Sequence, residues 1–114
     1  MDQRPRKLTL RYSPLVKPRL AEIWQWNADK YGAIHADEYV ETLQSRTREL
    51  QTQYDRGRCV PSHPSYRYMT LKTRSRGHGY VVVYQVMQSE VFVVSYFHTA
   101  QDWPTELKKL MREN

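Results

Sequence analysis

Two long apolar stretches near the C-terminal end constrain the fold of this chain more than any other feature. YVVVYQV occupies residues 80–86 and VFVVSYFH occupies residues 91–98, with a short polar connection, MQSE, before the second stretch. Both are almost continuous runs of β-branched and aromatic residues, which is typical of central strands whose two faces are largely covered. We therefore predict that the two stretches form a β-hairpin inside a larger sheet.

The first part of the chain predicts a strand followed by two helices. LTLRYS, residues 8–13, alternates apolar and polar positions as a half-buried strand does. Two apolar stripes at helical spacing follow, and the connection around Gly32 is so short that the helices must form an antiparallel hairpin. The first stripe comprises Leu20, Ile23, Trp24, Asn27 and Tyr31, and the second comprises Ala36, Tyr39, Val40, Leu43, Leu50 and Tyr54.

The segment between the helices and the apolar hairpin predicts a loop and then another strand. Residues 55–65, DRGRCVPSHPS, carry the glycine, prolines and serines of a loop. From Tyr66 onward the pattern changes to the period of two that places alternate side chains on opposite faces of a strand. One face would carry Arg67, Met69 and Leu71, and the other Tyr68, Thr70, Lys72 and Arg74.

These elements predict a single domain, residues 1–114, with the order β-α-α-β-β-β-α. Asp102 is expected to cap the last helix, with Pro104 near its first position and Leu107, Leu110 and Met111 as its apolar contacts. The simplest packing of this order is an α+β fold, an antiparallel sheet with the N-terminal helical hairpin packed on one face. The uncovered face is then expected to display Tyr68, Lys72 and Arg74.

The composition indicates a basic protein without a cofactor or metal centre. Eighteen Lys and Arg against twelve Asp and Glu give a net charge of +6, which favours an anionic partner: nucleic acid, a ribonucleoprotein or an acidic protein segment. Cys59 is the only cysteine, and the histidines lack the spacing of metal ligands, so no metal is predicted. Without a signal peptide or an apolar run long enough for a bilayer, we expect a cytoplasmic protein with no membrane partner.

Several segments in order resemble the RelE/ParE superfamily, the toxins of type II toxin-antitoxin systems. The matching segments are LRYSPLVKPRLAEIWQWNADKYG, AIHADEYVETLQSRTREL, GHGYVVVYQV and VFVVSYFHTAQD. The ending, an apolar run closed by His98 and, after a short spacer, Asp102, is similar to ParE-like members in particular. The resemblance implies a small basic toxin that a cognate antitoxin neutralises in a hetero-oligomer.

The superfamily implies two different targets. RelE-like members cleave mRNA on the ribosome, whereas ParE-like members poison DNA gyrase without nuclease chemistry. A RelE-like enzyme would use Lys72, Arg74, His78 and Tyr84, with His98 as a further candidate, all of them expected on the uncovered face of the sheet. Ser95 and Gln85 stand where the superfamily often has arginines, a departure that affects both the nuclease site and some ParE-like contacts. RelE-like nucleases tend to end soon after the last strand with a catalytic tyrosine or histidine, whereas this chain continues through HTAQDW into a helix.

The resemblance therefore favours a ParE-like gyrase poison. The alternatives are a RelE-like mRNA endoribonuclease and an inactive member that only binds its antitoxin, so catalysis stays open.

The remaining candidates are surface contacts and turn residues. Tyr68, Lys72 and Arg74 form a basic and aromatic surface suited to a target or an antitoxin. Trp103 is either an exposed interface anchor or packed under the last helix. His98 and Asp102 are interpreted as structural residues that hold the turn after the last strand.

Overall fold

The computed structural model describes residues 6–61, 63–71 and 79–112. In these residues, the chain forms five strands and four helices. Their bounds are β1 Thr9–Tyr12, α1 Val16–Tyr31, α2 Ala33–Arg48, α3 Leu50–Gln53, β2 Arg58–Val60, β3 His63–Leu71, β4 Tyr80–Val86, β5 Glu90–His98 and α4 Trp103–Arg112. The predicted α+β class and the helical hairpin are confirmed.

The sheet is mixed, whereas the sequence predicted an antiparallel one. Its strand order is β1-β5-β4-β3-β2, and β1 pairs in parallel with β5, from Thr9 opposite Glu90 to Tyr12 opposite Val93. The remaining neighbours are antiparallel. The alternation in residues 8–13 predicted a strand but carried no information on its neighbour in the sheet, because that neighbour, β5, lies in the last third of the sequence.

The predicted loop at residues 55–65 contains a short strand. β2 pairs with β3 in antiparallel fashion, with Arg58 opposite Tyr68 and Cys59 opposite Arg67. Three residues are too few to show a period of two in the sequence, so β2 was not predicted. It gives the sheet a second edge strand, beside β3.

The helical hairpin begins and ends at residues suited to those positions. The Ser13 hydroxyl accepts a hydrogen bond from the Leu15 N–H at 3.1 Å, just before α1. Pro18 lies in the first turn of α1, where the missing N–H costs nothing. Gly32 joins α1 to α2 with a φ of 94°, a conformation that side-chain-bearing residues rarely adopt.

The hairpin and the sheet enclose the larger of two apolar cores. The hairpin contributes Ile23 and Leu43, and α3 adds Leu50. The strand residues that face the hairpin include Leu71, Tyr80, Val82, Tyr84, Val91, Val93 and Tyr96. Tyr84 and Tyr96 are the largest fully buried side chains in this core.

The opposite face of the sheet is covered by α4, so the expectation of an uncovered face is wrong. Leu107 of α4 is fully buried there, and Leu110 and Met111 pack beside it. The strand residues of this second core are Val60, Val81, Val83, Val94 and Phe97. The central strands are therefore buried on both faces, as their unbroken apolar runs predicted.

A β-bulge in β5 lets that strand serve both cores. Val83 pairs with Ser95 and Tyr84 pairs with Val93, so Val94 is an extra residue without a partner in β4. The Ser13 hydroxyl donates to the Val94 carbonyl at 2.5 Å. The bulge reverses the alternation, so Val93 before it and Tyr96 after it both face the helical hairpin.

In the part of the chain that the structure describes, no helix is both long and apolar enough to cross a membrane.

A buried hydrogen bond joins the sheet to α2. The hydroxyl oxygens of Tyr96 and Thr47 are 2.6 Å apart. Since the Thr47 hydroxyl donates to the Leu43 carbonyl at 2.7 Å, the proton between the two hydroxyls comes from Tyr96. Burial raises the pKa of Tyr96 from 10.0 to about 12.

We expect the protein to lose stability between pH 10 and pH 12 in part through Tyr96. The folded pKa lies above the unfolded one, so the contribution is complete below pH 10 and is lost as the pH rises towards 12. Urea unfolding should show that Tyr96→Phe reduces this alkaline loss by roughly 2 kcal/mol. An equal alkaline loss in both proteins would contradict the assignment. Tyr12, Tyr80 and Tyr84, whose pKa values burial also raises, provide the loss shared by both.

Candidate functional site

The predicted basic and aromatic surface is only partly described by the structure. Tyr68 lies on the α4 side of the sheet, half-buried, with its ring centroid 4.7 Å from that of Trp103. It is therefore part of the second core and not an isolated exposed ring. Lys72, Arg74 and His78 lie outside the described residues, which end at Leu71 and resume at Gly79.

Tyr84 lies on the face of the sheet opposite to the predicted one. It pairs with Arg67, whereas Val83 pairs with Tyr68, so Tyr84 faces the helical hairpin. Its side chain is fully buried, and burial raises the pKa of the hydroxyl. A side chain in this position cannot contact an RNA backbone, so the placement of Tyr84 among exposed catalytic candidates is wrong.

The Tyr84 hydroxyl instead anchors the segment that leads into β2. It accepts a hydrogen bond from the Gly57 N–H at 3.1 Å and donates one to the Tyr54 carbonyl at 2.9 Å. Arg67 donates to the Gly57 carbonyl, also at 2.9 Å. Both backbone polar groups of Gly57 are thus bound by side chains from the sheet.

His98 lies at the end of β5, where the chain turns towards α4. Its Nδ1 accepts a hydrogen bond from the Ala100 N–H at 3.1 Å, and its carbonyl accepts one from Gln101 at 3.1 Å. The imidazole meets the ring of Tyr80 edge-on, with centroids 5.1 Å apart. A cleft of about 280 Å³ opens beside it, lined by Arg19, Glu22, Ile23, Trp26, Tyr80, His98 and Gln101.

Asp102 immediately precedes α4. Its carboxylate accepts a hydrogen bond from the Thr105 hydroxyl at 2.6 Å, and its carbonyl accepts one from the Glu106 N–H at 3.2 Å. The first turn of α4 is therefore tied to Asp102 by a side chain and by the backbone.

Trp103 is packed inward between the sheet and α4. Its ring lies against Tyr68 at 4.7 Å and near Phe97 at 6.3 Å, measured between centroids. Of the two interpretations of this residue, the structure places it in the packed position. Trp26 on α1 is the more exposed tryptophan, with 49% of its surface accessible and the Lys30 ammonium 4.5 Å from its ring centroid.

The arginine arrangement around Gly57 was not predicted from the sequence. Arg56 and Arg58 are both exposed and border a groove of about 380 Å³ with Gly57, Tyr68, Met69 and Thr70. The only local signal was a glycine between two arginines in a segment read as a loop. The arrangement depends on Tyr84 and Arg67, which are distant in the chain.

The described residues are suited to binding and not to metal chemistry. Across residues 6–61, 63–71 and 79–112, no group of three His, Cys, Asp or Glu side chains is placed to hold a metal ion. The surface of the described residues presents arginine side chains, aromatic rings and the apolar tip of the helical hairpin. Ser95, in place of a superfamily arginine, is buried beneath α1 and α4.

Comparison with known proteins relates the chain to one family. A family model described as the ParE toxin of type II toxin-antitoxin systems, parDE, matches residues 10–103. A solved structure described as the chromosomal ParDE TA system from P. aeruginosa superimposes with a TM-score of 0.67 at 18% identity. The match covers 79% of this chain and 94% of the other. No curated relative matches the sequence.

The two tryptophans Trp103 and Trp26 form a matched pair for testing how α4 is held. Trp103→Ala removes the contacts with Tyr68 and Phe97, and we expect it to lower the free energy of unfolding by about 2–3 kcal/mol. Trp26→Ala removes a half-exposed ring and should cost less than about 1 kcal/mol. Chemical denaturation measures both values, and equal losses would show that Trp103 does not hold α4 in place.

Proposed function

Because the chain belongs to the ParE toxin family of type II toxin-antitoxin systems, we propose that it inhibits growth by poisoning DNA gyrase and is neutralised by a cognate antitoxin. The observation that carries the proposal is the extent of the family match, which runs from β1 to the first residue of α4. The match therefore includes every strand and both helices of the hairpin.

The proposed mechanism is selective binding without covalent chemistry. A gyrase poison must bind the enzyme with cleaved DNA more tightly than the enzyme with intact DNA, because only differential affinity shifts an equilibrium. Each tenfold preference contributes about 1.4 kcal/mol towards the cleaved state. Such a protein needs a rigid binding surface, and a sheet buried on both faces supplies a rigid support.

The burial of two residues weighs against the nuclease alternative. Of its four predicted catalytic residues, Tyr84 is buried behind the sheet and is bound to Gly57 and Tyr54. Lys72, Arg74 and His78 lie outside the described residues. Ser95 is buried and carries no charge, so it cannot replace a phosphate-binding arginine.

The charge of the chain is suited to an acidic antitoxin segment. The net charge of +6 steers an acidic partner towards the toxin and accelerates association at low salt. The tip of the helical hairpin adds exposed apolar side chains, with Tyr31 60% and Ile34 78% accessible. An antitoxin segment that combines acidic and apolar residues would match both features.

We expect the purified protein to convert gyrase activity on supercoiled plasmid into trapped, linearised DNA. An in vitro translation reaction run in parallel should leave its mRNA uncut, because the proposed mechanism involves binding alone and Tyr84, a candidate for RNA cleavage, is buried. Cut mRNA with unaffected supercoiling would reverse the assignment in favour of a ribonuclease. If neither trapped DNA nor cut mRNA is observed, the protein is an inactive member that only binds its antitoxin.

We also expect a stable complex with the product of the neighbouring reading frame. Co-expression followed by gel filtration should give one peak that contains both proteins, and the rate of association should fall as salt increases. Separate elution of the two proteins at every salt concentration would contradict the antitoxin assignment. This outcome is independent of the gyrase assay, since the antitoxin and the target are measured separately.

A further inference from the structure

The segment Arg56–Gly57–Arg58, here called the RGR turn, is held in one conformation by the sheet beneath it. The Tyr84 hydroxyl accepts from the Gly57 N–H at 3.1 Å, and Arg67 donates to the Gly57 carbonyl at 2.9 Å. Arg67 also reaches the Asp55 carbonyl at 3.5 Å. A surface turn with both polar groups of its central residue bound from below loses little further freedom when it binds a ligand.

Gly57 is required at this position by close packing. A Cβ atom built on Gly57 would collide with the Tyr84 hydroxyl oxygen and come within 3.0 Å of the Tyr68 carbonyl oxygen. The backbone of the turn therefore lies directly on the sheet, and the two flanking side chains extend from a fixed base.

The two flanking guanidinium groups remain available for a ligand. Arg56 and Arg58 are both exposed. The Arg56 guanidinium makes one long contact of 3.5 Å with the Gln53 amide oxygen. Within the described residues, the Arg58 guanidinium makes no side-chain hydrogen bond or ion pair, and Arg58 is bound to β3 through its backbone. Elsewhere on the surface, Arg46 and Arg48 are paired with Glu49 and Glu41.

The groove beside the RGR turn is suited to a phosphate group. It measures about 380 Å³ and is lined by Arg56, Gly57, Arg58, Tyr68, Met69 and Thr70. Guanidinium groups bind phosphate oxygens with two parallel hydrogen bonds, a geometry that favours arginine over lysine. A nucleic acid presents phosphates at regular intervals along its backbone, which suits two guanidinium groups that extend from one fixed turn, whereas an acidic peptide would match only the charge.

We propose that the RGR turn binds the phosphodiester backbone of a nucleic acid. Arg56 and Arg58 contact the phosphates, and Tyr84, Arg67 and Gly57 hold the turn in the binding conformation. This activity goes beyond the proposed function, because neither gyrase binding nor antitoxin binding requires the toxin itself to contact nucleic acid.

The test measures the affinity of the full-length toxin for two labelled probes by fluorescence anisotropy at a series of salt concentrations. The probes are a short duplex DNA and a single-stranded RNA, so the result also tells which nucleic acid is bound. Since each lost phosphate contact lowers the slope of log K against log salt by about 0.9 for duplex DNA, Arg58→Gln and Arg56→Gln should each reduce the slope by roughly that amount. The affinity should fall roughly three- to tenfold.

Arg11→Gln is the matched control. Arg11 is also an exposed arginine, on β1 at the opposite edge of the sheet, roughly 19 Å away at about 4.8 Å per strand. The substitution Arg11→Gln removes the same charge and should leave the slope of log K against log salt unchanged. An equal reduction in Arg11→Gln would mean that only the net charge matters and would overturn the proposal.

Tyr84→Phe separates the positioning of the turn from its charge. This variant keeps both guanidinium groups and removes the hydroxyl that binds Gly57, so the affinity should fall while the salt slope is retained. Thermal unfolding establishes that the variant is folded at the assay temperature.

The absence of binding to both probes would overturn the proposal, as would binding that Arg56→Gln and Arg58→Gln leave unchanged. Binding only to an acidic peptide, lost in these two variants, would assign the turn to a protein partner. Neither gyrase nor antitoxin is present in these measurements, so their outcome does not depend on the proposed function.

Discussion

The bulge at Val94 is the constraint on which both layers of the fold depend. If Val94 paired with Val83 in a regular ladder, alternation along β5 would turn Tyr96 away from the helical hairpin and remove its bond to Thr47. The carbonyl of Val94 accepts a hydrogen bond from the Ser13 hydroxyl. Ser13 also accepts from Leu15, so one buried side chain joins the irregularity in β5 to the start of α1.

The sequence predicted the elements whose signals are local and extend over many residues. The apolar runs of β4 and β5 and the stripes of α1 and α2 were long enough for their periods to be read, and a short connection fixed the hairpin. The parallel pairing of β1 and the strand β2 were not predicted. β1 acquires its neighbour only in the folded chain, and β2 has three residues. The packing of α4 on the sheet was not predicted, because the sequence indicated which α4 residues are apolar but not which face of the sheet they contact.

The candidate site shows the same division between local and distant information. His98 and Asp102 are close in sequence, and their hydrogen bonds to Ala100 and Thr105 remain within a few residues. The face of Tyr84 depends on the register between β3 and β4, which places it opposite Arg67. No pattern within β4 distinguishes it from its alternately placed neighbours, because both faces of this strand are apolar. The pairing of Tyr84 with Gly57 is therefore a property of the tertiary structure.

The parallel pairing of the first strand with the last has a consequence for how the chain reaches its folded state. The hydrogen bond between Ser13 and Val94 joins residues 81 positions apart, and β1 has β5 as its only strand neighbour in the described sheet. Because closing so long a loop costs conformational entropy before the contact forms, β1 can pair only after β5 has been synthesised. A chain interrupted before β5 lacks the partner of its first strand and a strand that contributes to both cores. The pairing of β1 and the closing of both cores are therefore late events, although β2, β3 and β4 lie next to one another in both the chain and the sheet.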